Sequence, residues 1–328
     1  TYRDIEHARD EMEEMIKFPF LANKHIVAVG GGFSAGKSKF INSLLGRNTL
    51  PTNTRPTTSI PTFLAKGDSD KIYPYNIFGN KSEIDEEGLQ AITHAFYDKY
   101  NLSFTRILKN INLELKEIPY NNIAFLDTPG YTKSDFQKQA DNTDKAVAKK
   151  HLQVADYLIW VVDIGKGTIP KEDINFIKEL NINKPVLFVI NKADKKVESD
   201  IKDVLQVVKN DLKRSAIDFY GVLAYSSREN TVYSEDYLTS FLDEIEDKEK
   251  EVDLVNQFKS VFNRYIEYHT RVVNEERNKL EKFNEFYLLS NSDDNKDFID
   301  DLIRNSKNKI RREKETLQKF KDLKQEFI

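Results

Sequence analysis

The chain has 328 residues, a formal net charge of −4 and no cysteine. Its length fits one domain of about 200 residues plus a second element. The composition, 39% hydrophobic and 32% charged, is typical of one core with long solvated helical surface. The lack of cysteine excludes a disulfide framework and agrees with a reducing cytosol. The negative charge argues against a nucleic-acid-binding protein, and the longest apolar runs are too short to span a bilayer.

The amino-terminal segment predicts a short amphipathic helix. Ahead of Pro19, one apolar stripe is formed by Ile5, Ala8, Met12, Met15 and Ile16. A helix of this size is not stable alone in water, so we expect it to pack against helices from the carboxyl-terminal end. Because the first residue is Thr1 rather than Met, we expect the chain to begin inside a longer protein.

A phosphate-binding loop is predicted directly after the first apolar run, residues 25–29. Residues 31–38 read Gly-Gly-Phe-Ser-Ala-Gly-Lys-Ser and fit the pattern G-x-x-x-x-G-K-[ST]. Glycines let backbone N–H groups converge on one centre, and a helix that begins near Lys37 adds its positive dipole end. In this pattern Lys37 reaches the β- and γ-phosphates, and the Ser38 hydroxyl holds Mg²⁺. The candidate nucleotide-binding residues of this loop are Gly31, Gly32, Phe33, Ser34, Ala35, Gly36, Lys37 and Ser38.

A second apolar run, residues 123–126, leads into Asp127-Thr128-Pro129-Gly130. A strand that ends in an acid can bring Asp127 to the Mg²⁺ shell, and the N–H of Gly130 can meet the γ-phosphate. The segment therefore predicts a sensor of the nucleotide state.

A third apolar run, residues 186–190, ends in Asn191-Lys192-Ala193-Asp194, the pattern N-K-x-D. An Asp carboxylate accepts two hydrogen bonds from the N1–H and the exocyclic amine of guanine, and adenine offers no such pair. Asn191, Lys192 and Asp194 therefore favour GTP over ATP.

Each of these motifs also occurs as an ordinary turn or solvated loop. Here they follow one another in the order that a GTPase requires, each at the carboxyl end of a hydrophobic strand, where open α/β sheets bind their ligands. Together they predict an α/β P-loop GTPase domain with a mostly parallel central sheet flanked by helices. Strands are predicted at residues 25–30, 60–65, 72–78, 111–116, 122–127, 157–163, 186–190 and 220–225.

The carboxyl-terminal region predicts a hairpin of two long helices. No glycine follows Gly221 and no proline follows Pro185. A helical stripe contains Val255, Phe258, Phe262, Tyr265, His269 and Val272 and resumes with Leu280, Phe283 and Tyr287. The polar run 290–295 reads as a turn that caps a second helix. The apolar positions of that helix are Phe298, Leu302, Ile310, Leu317, Phe320 and Phe327.

Further segments accompany the three motifs: residues 40–46 (Phe-Ile-Asn-Ser-Leu-Leu-Gly), Leu50-Pro51 and Arg55-Pro56-Thr57-Thr58. With the phosphate loop, this combination resembles the dynamin superfamily of GTPases, in particular its bacterial dynamin-like and mitofusin-like branch. The resemblance implies a dynamin-type GTPase domain over residues 23–246. It also implies an all-α neck bundle, formed by an amino-terminal helix at 1–22 and a carboxyl-terminal helical hairpin at 247–328.

The resemblance also implies residue roles. Thr58, 21 residues after Lys37, would hold Mg²⁺ and the attacking water, with Thr57 as the fallback. Ser34 would organise the γ-phosphate side. The candidate catalytic residues are thus Lys37, Ser34, Thr58 and Gly130, and the candidate Mg²⁺ ligands are Ser38, Thr58 and Asp127. Ser226 and Ser227, at the end of the strand over 220–225, are candidates for the last guanine-binding loop.

The expected reaction is in-line attack of water on the γ-phosphate. Tyr131 follows Gly130, so the glutamine that orients water in Ras-like enzymes is missing. Dynamin relatives also lack it and pair their GTPase domains face to face. The resemblance therefore implies slow hydrolysis by a lone subunit and faster hydrolysis in a nucleotide-dependent homodimer, or in a heterodimer with a related dynamin-like protein. Arg55 could contact phosphate, partner or solvent.

Membrane remodelling, fusion or tethering by neck movement is the output that the resemblance implies. From Asp247 onward the chain has 18 basic and 18 acidic residues, whereas helices on lipid surfaces carry a basic excess. We therefore expect lipid contact through a region outside this chain, and a cytoplasmic protein peripheral to the inner face of a membrane. Two alternatives stay open. One is an Era-like ribosome-associated GTPase, although the carboxyl-terminal region from Asp247 onward lacks a glycine for the G-x-x-G clamp of an RNA-binding module. The other is a GTP-switched scaffold with little hydrolysis.

Overall fold

The computed structural model describes residues 16–52, 60–92, 107–130, 148–153, 155–181, 184–250 and 254–327. Two compact units divide the chain: Phe18–Glu251 form one, and Val252–Ile328 belong to the other. Most of the predicted amino-terminal helix lies outside the described residues. The division into segments 1–22, 23–246 and 247–328 therefore stays a prediction.

The described residues of the first unit form a mixed, mostly parallel nine-stranded sheet in the order β3-β4-β2-β5-β1-β6-β7-β8-β9. The strands are β1 (His25–Gly30), β2 (Thr62–Lys66), β3 (Lys71–Asn76), β4 (Leu108–Leu115), β5 (Ile123–Asp127), β6 (Tyr157–Asp163), β7 (Val186–Asn191), β8 (Phe219–Ser226) and β9 (Thr231–Val232). The eight predicted strands are confirmed, and β9 is an addition that the sequence pattern did not indicate. The predicted α/β fold class is confirmed as well.

The central strands β1, β5, β6, β7 and β8 run parallel, whereas β2 pairs antiparallel with β5, and β3 with β4. Their side chains are buried on both faces: Val27 and Val29 belong to one hydrophobic cluster, and Ala28 between them belongs to the other. Such two-sided burial explains why these strands are continuous apolar runs. Parallel direction also brings the carboxyl ends of the five strands to one edge of the sheet, where a ligand can bind.

The helices of this unit described over their full length include α1 (Lys37–Leu45), α2 (Glu86–Gln90), α3 (Lys171–Leu180), α4 (Glu198–Arg214) and α5 (Tyr237–Glu246). α1 ends at Gly46, which is left-handed with φ 66°. The chain beyond it is held by the buried Asn42, whose side chain donates to Leu50 O at 2.8 Å and accepts from Leu50 N at 2.9 Å. These bonds fix the segment that leads away from the phosphate loop.

The second unit contains two long helices, α6 (Leu254–Leu289) and α7 (Asp293–Phe327). They run antiparallel, because Asn263 near the start of α6 bonds Lys324 near the end of α7. The predicted hairpin is confirmed, with α7 beginning inside the predicted turn. The side chains of Val255, Phe258 and Phe327 lie outside the described ones, and among the other predicted stripe residues Phe298 differs, because it is 67% exposed. None of the described helices combines the length and the apolar character needed to cross a membrane.

A buried carboxylate links α6 to α7. Glu276 is only 6% exposed. Its Oε1 accepts hydrogen bonds from Lys279 Nζ and Lys309 Nζ, both at 2.8 Å, and its Oε2 accepts one from Ser306 Oγ at 3.2 Å. The bonds from the two lysines, and then that from Ser306, lower the pKa of Glu276 to about 2.

Glu276→Gln removes this charge and keeps the side-chain volume. The pKa of Glu276 falls from 4.5 to about 2 on folding. The carboxylate therefore stabilises the folded hairpin at neutral pH, and this contribution fades as the pH drops through that interval. We expect the variant to lose about 1–2 kcal/mol of unfolding free energy at pH 7 and to respond less to acid, as measured by circular dichroism during urea unfolding.

Glu275→Gln is the matched control, because Glu275 is the exposed neighbour on the same helix. Equal stability losses in the two variants would contradict the prediction.

Candidate nucleotide-binding site

The loop after β1 has a backbone that only glycine accommodates at two points. Gly31 has φ +143°, and a Cβ there would lie 2.3 Å from Val161 O. Gly36 has φ +92°, and a Cβ there would lie 2.7 Å from Asn191 Nδ2. Both positions combine a left-handed backbone with a neighbour that leaves no room for a side chain. The backbone conformation and the neighbouring atoms therefore require glycine at positions 31 and 36 of the predicted phosphate loop.

Lys37 lies at the start of α1 with its amine folded back over this loop. Its Nζ donates to Gly31 O at 3.1 Å and to Gly32 O at 3.2 Å. Burial lowers the pKa of Lys37, while the nearby carboxylates of Asp127 and Asp173 act in the opposite direction. The amine thus sits inside the loop, at the place where the sequence pattern puts phosphate.

Ser38 and Asp127 come together as predicted. Ser38 Oγ donates a 2.6 Å hydrogen bond to Asp127 Oδ2, and Asp127 is 1% exposed. The pairing of β1 with β5, which sets Val29 beside Asp127, brings this carboxylate to the loop. A hydroxyl and a carboxylate oxygen are hard ligands of the kind that Mg²⁺ binds. The third predicted ligand, Thr58, lies outside the described residues, as do Thr57 and Arg55.

Gly130 lies against the phosphate loop. A Cβ on Gly130 would come within 3.3 Å of the Phe33 Cα and within 3.5 Å of Lys37 Nζ. The preceding Thr128 is anchored by its hydroxyl, which donates to Val29 O at 2.7 Å. The second motif therefore brings its glycine close to the amine of the first, and the sensor role of Gly130 stays a prediction.

The third motif is bonded directly to the phosphate loop. Asn191 Nδ2 donates to Ala35 O at 3.0 Å, and Lys192 Nζ donates to Ser34 O at 2.8 Å. Asn191 is 1% exposed, so its amide is committed to these internal bonds. The two ends of the predicted nucleotide site thus form one connected structure.

The candidates at the end of β8 lie beside the third motif. Ser226 Oγ donates to Asp194 Oδ1 at 2.7 Å, and Ser227 Oγ donates to Asn191 Oδ1 at 2.8 Å. The backbone N–H of Ser227 reaches the same Asn191 oxygen at 3.1 Å. Both serines therefore orient the polar side chains of N-K-x-D, and direct contact of either serine with a purine stays a prediction.

Asp163 belongs to the site and was missed by sequence reasoning. Its Oδ2 accepts a 2.6 Å hydrogen bond from Lys192 Nζ, and its Oδ1 accepts one from Gly165 N at 2.8 Å. Burial raises the pKa of Asp163, but the bonds from Lys192 and Gly165 outweigh it, so the pKa is lowered overall. The one available signal was its position at the end of β6, on the same sheet edge as the three motifs.

These features define a class: a P-loop nucleotide-binding protein whose base-side loop carries the guanine-type N-K-x-D. A sequence profile of the dynamin family matches residues 27–194, just over half of the chain. The chain therefore belongs to the dynamin family, whose members are GTPases.

Two individual proteins are similar to parts of this chain. The chain is 26% identical over 230 residues to Dynamin-like protein 1 of Campylobacter jejuni, an alignment that covers 58% of this chain but 30% of that protein. It is 39% identical over 87 residues to the GTPase Era of Aquifex aeolicus, covering 25% of this chain and 28% of Era. The chain thus spans about a third of the first relative's length.

Among solved structures, an oligomerised bacterial dynamin pair is similar to this chain with a TM-score of 0.48 and 20% identity. The match covers 85% of this chain and 44% of the other. The family assignment does not depend on this likeness, since it is carried by the sequence profile alone.

Asp163→Asn removes the charge that holds Lys192 and keeps an oxygen that can accept from Gly165. The amine of Lys192 is then less firmly held against Ser34 O, which loosens the link between the phosphate loop and the base-side loop. We expect the dissociation constant for GTP to rise roughly tenfold, equivalent to about 1.4 kcal/mol, in a titration with fluorescently labelled GTP.

The matched control is Asp200→Asn, because Asp200 lies 3.9 Å from Lys196 in a half-exposed pair. The control should bind GTP as the wild type does. An unchanged dissociation constant for Asp163→Asn would show that the ion pair does not support the site.

Proposed function

We propose that this chain binds GTP together with Mg²⁺ and hydrolyses it to GDP and phosphate. The observation that carries the proposal is the direct bonding between motifs: Asn191 and Lys192, from the base-side loop, hold the carbonyls of Ala35 and Ser34 in the phosphate loop. A single ligand with phosphates at one end and guanine at the other fits this arrangement. Membership of the dynamin family supports the same activity.

Charge neutralisation is the chief task of such a site. The Lys37 amine is held at the loop centre by Gly31 O and Gly32 O, and an entering phosphate oxygen would replace these weaker acceptors. Because the amine is buried and its pKa is lowered by burial, an anionic ligand there also favours its charged form. Lys37 thus binds and orients the β- and γ-phosphates.

The donor set next to Lys37 fits Mg²⁺. Ser38 Oγ and Asp127 Oδ2 would hold the ion, with Thr58 as the ligand expected from the sequence. When bound, Mg²⁺ supplies positive charge to the phosphates. Gly130 lies against the same part of the loop, where a Cβ would stand 3.3 Å from Phe33 Cα and 3.5 Å from Lys37 Nζ, and its N–H is the proposed contact to the γ-phosphate. Thr58 is the proposed holder of the attacking water.

Guanine selectivity is assigned to Asp194. Ser226 fixes one carboxylate oxygen of Asp194 by donating to Oδ1 at 2.7 Å. A carboxylate whose orientation is fixed in advance loses less entropy when it accepts the N1–H and amine of guanine. The bond from Ser227 Oγ to Asn191 Oδ1 holds the side chain of Asn191 in the same loop.

We also propose the output that the family implies. GTPase domains pair in a nucleotide-dependent dimer, as a homodimer or with a related dynamin-like protein. The pairing moves a helical neck and so remodels, fuses or tethers membranes. The supporting features are the missing glutamine after Gly130 and the two long helices α6 and α7. Lipid would be contacted at the inner face of a membrane through a region outside this chain.

Lys37→Ala tests the phosphate end of the site. Loss of the buried amine should abolish measurable hydrolysis and weaken GTP binding by about two orders of magnitude, given roughly 2–3 kcal/mol for a charge-assisted bond to phosphate. Binding of labelled GTP and ATP is measured side by side, and the wild type should prefer GTP. Lys39→Ala, on the exposed face of the same helix, is the control. Intact GTP uptake by Lys37→Ala, or preference for ATP by the wild type, would refute the proposed activity.

Turnover per subunit as a function of protein concentration tests the shared catalytic site. If hydrolysis needs paired GTPase domains, phosphate release per subunit should rise with concentration and then level off. A rate per subunit that stays constant over a hundredfold range would show that each subunit is catalytically complete. Lys37→Ala measured in parallel gives the background.

A further inference from the structure

The outer face of α7 carries a regular line of charged residues. At alternating steps of four and three along the helix stand Asp293, Asp297, Asp300, Arg304, Lys307, Arg311 and Lys314. This spacing is that of a single helical face. All seven side chains are exposed. The buried residues of α7, among them Ile303, Ser306 and Ile310, lie on the adjoining side of the helix, from which Ser306 bonds Glu276 of α6. We call this line the charged stripe.

The two halves of the charged stripe have opposite sign. Its first three residues are acidic and its last four are basic. The surrounding sequence follows the same division: residues 293–301 contain five acids and one lysine, whereas residues 304–314 contain six basic residues and one glutamate. The equal number of acids and bases beyond Asp247 therefore hides a strong separation of charge along one helix.

Few of these charged side chains form ion pairs within the described residues. Within the part of the chain that the structure describes, one ion pair involves the charged stripe: Arg304 with Asp301 at 3.6 Å, with side chains 74% and 70% exposed. An exposed pair at that distance is weak. The acidic half and the basic half are therefore available to an external partner.

The charged stripe is complementary to itself in antiparallel orientation. When a second α7 is laid against the first in reverse direction, Asp293 meets Arg311, Asp297 meets Lys307, and Asp300 meets Arg304. All three pairs have their midpoint at position 302, so one two-fold axis there forms each pair twice. Parallel, in-register pairing would instead place acid on acid and base on base, which is repulsive.

We propose that the charged stripe of α7 docks on the same stripe of a second copy of this chain, antiparallel and about a two-fold axis at position 302. The contact does not involve the nucleotide site, so it is a second self-association surface beyond the proposed pairing of GTPase domains. Exposed ion pairs are individually weak and screened by salt, so the association is weak and reversible. It gains strength whenever another contact already holds two copies close together.

An anionic lipid surface is a poorer fit. The basic half of the charged stripe would be attracted to it, but the acidic half lies on the same line of the same rigid helix and would be repelled. A partner with one acidic and one basic half in the reverse order satisfies both halves, and a second copy of the chain laid antiparallel supplies that order.

Charge reversal tests the proposal by sedimentation velocity of the full 328-residue chain with GDP. In low salt the wild type should self-associate at high concentration, and an increase to about 0.5 M salt should weaken the association about tenfold or more. Asp297→Lys with Asp300→Lys should be monomeric, and so should Arg304→Glu with Lys307→Glu. An equimolar mixture of these two double variants should associate again. The charge-matched control, Glu275→Lys with Glu281→Lys on α6, should behave as the wild type does.

Cysteine cross-linking tests the register, because the chain has no native cysteine. In the antiparallel register, Cys at 297 in one copy faces Cys at 307 in the other. Two copies of either position alone are ten residues apart along the helix, about 15 Å. Under mild oxidation, a mixture of Asp297→Cys and Lys307→Cys chains should therefore give a disulfide-linked dimer, and neither variant alone should.

Three results would overturn the proposal. The first is a wild type that stays monomeric in low salt up to about 0.1 mM, a range in which exposed charge pairs act most strongly. The second is failure of the mixed charge-reversal variants to associate, or cross-linking by a single cysteine variant alone. The third is binding of the wild type to vesicles with phosphatidylserine, lost in Arg304→Glu with Lys307→Glu, without any self-association. Failure of these tests would leave GTP binding by Lys37 and Asp194 unaffected, so the two proposals fail separately.

Discussion

The side chain of Asn191 joins the two halves of the nucleotide site. Its amide nitrogen donates to Ala35 O in the phosphate loop, and its oxygen accepts from the backbone and the hydroxyl of Ser227 at the end of β8. The amide is almost fully buried, so any lost partner leaves a polar group without solvent, at a cost of about 1–3 kcal/mol. Gly36 must lack a side chain because this amide passes so close. The side chain of Asn191 therefore sets the distance between the phosphate loop and the base-side loop, and it also requires glycine at position 36.

Much of this site could be predicted from the sequence because its parts are local. A buried strand followed by glycines, or by an acid, is readable as a short pattern, and parallel strands bring such patterns to one edge. This is why Lys37, Ser38, Asp127 and Asn191 are found together, and why Ser226 lies beside Asp194. Hydrophobic runs likewise predicted the strands, since strands buried on both faces leave little ambiguity.

The remaining features depend on contacts that no local pattern records. Asp163 is a lone acid at the end of β6, a weak signal on its own, and its 2.6 Å ion pair with Lys192 is what places it in the site. Strand β9 is two residues long and exists through its pairing with β8. In the helical unit, Glu276 was not predicted to be buried, because an acid normally lies on the solvated face. It is buried since two lysines and a serine surround it. Phe298 fits the apolar spacing but lies near the end of the hairpin, where α6 offers it little cover.

Lys192 shows how conflicting demands at one position limit which residue can stand there. Its backbone is left-handed, with φ 66°, a conformation that glycine and asparagine adopt most easily. Its side chain must also reach both Ser34 O and Asp163, which neither glycine nor asparagine can do. Lysine satisfies the longer reach at a conformational cost of about 1 kcal/mol. No replacement by glycine or asparagine can therefore both remove the strain of the left-handed backbone and keep the bonds to Ser34 and Asp163. A substitution that stabilises the fold at this position loosens the contact with the phosphate loop.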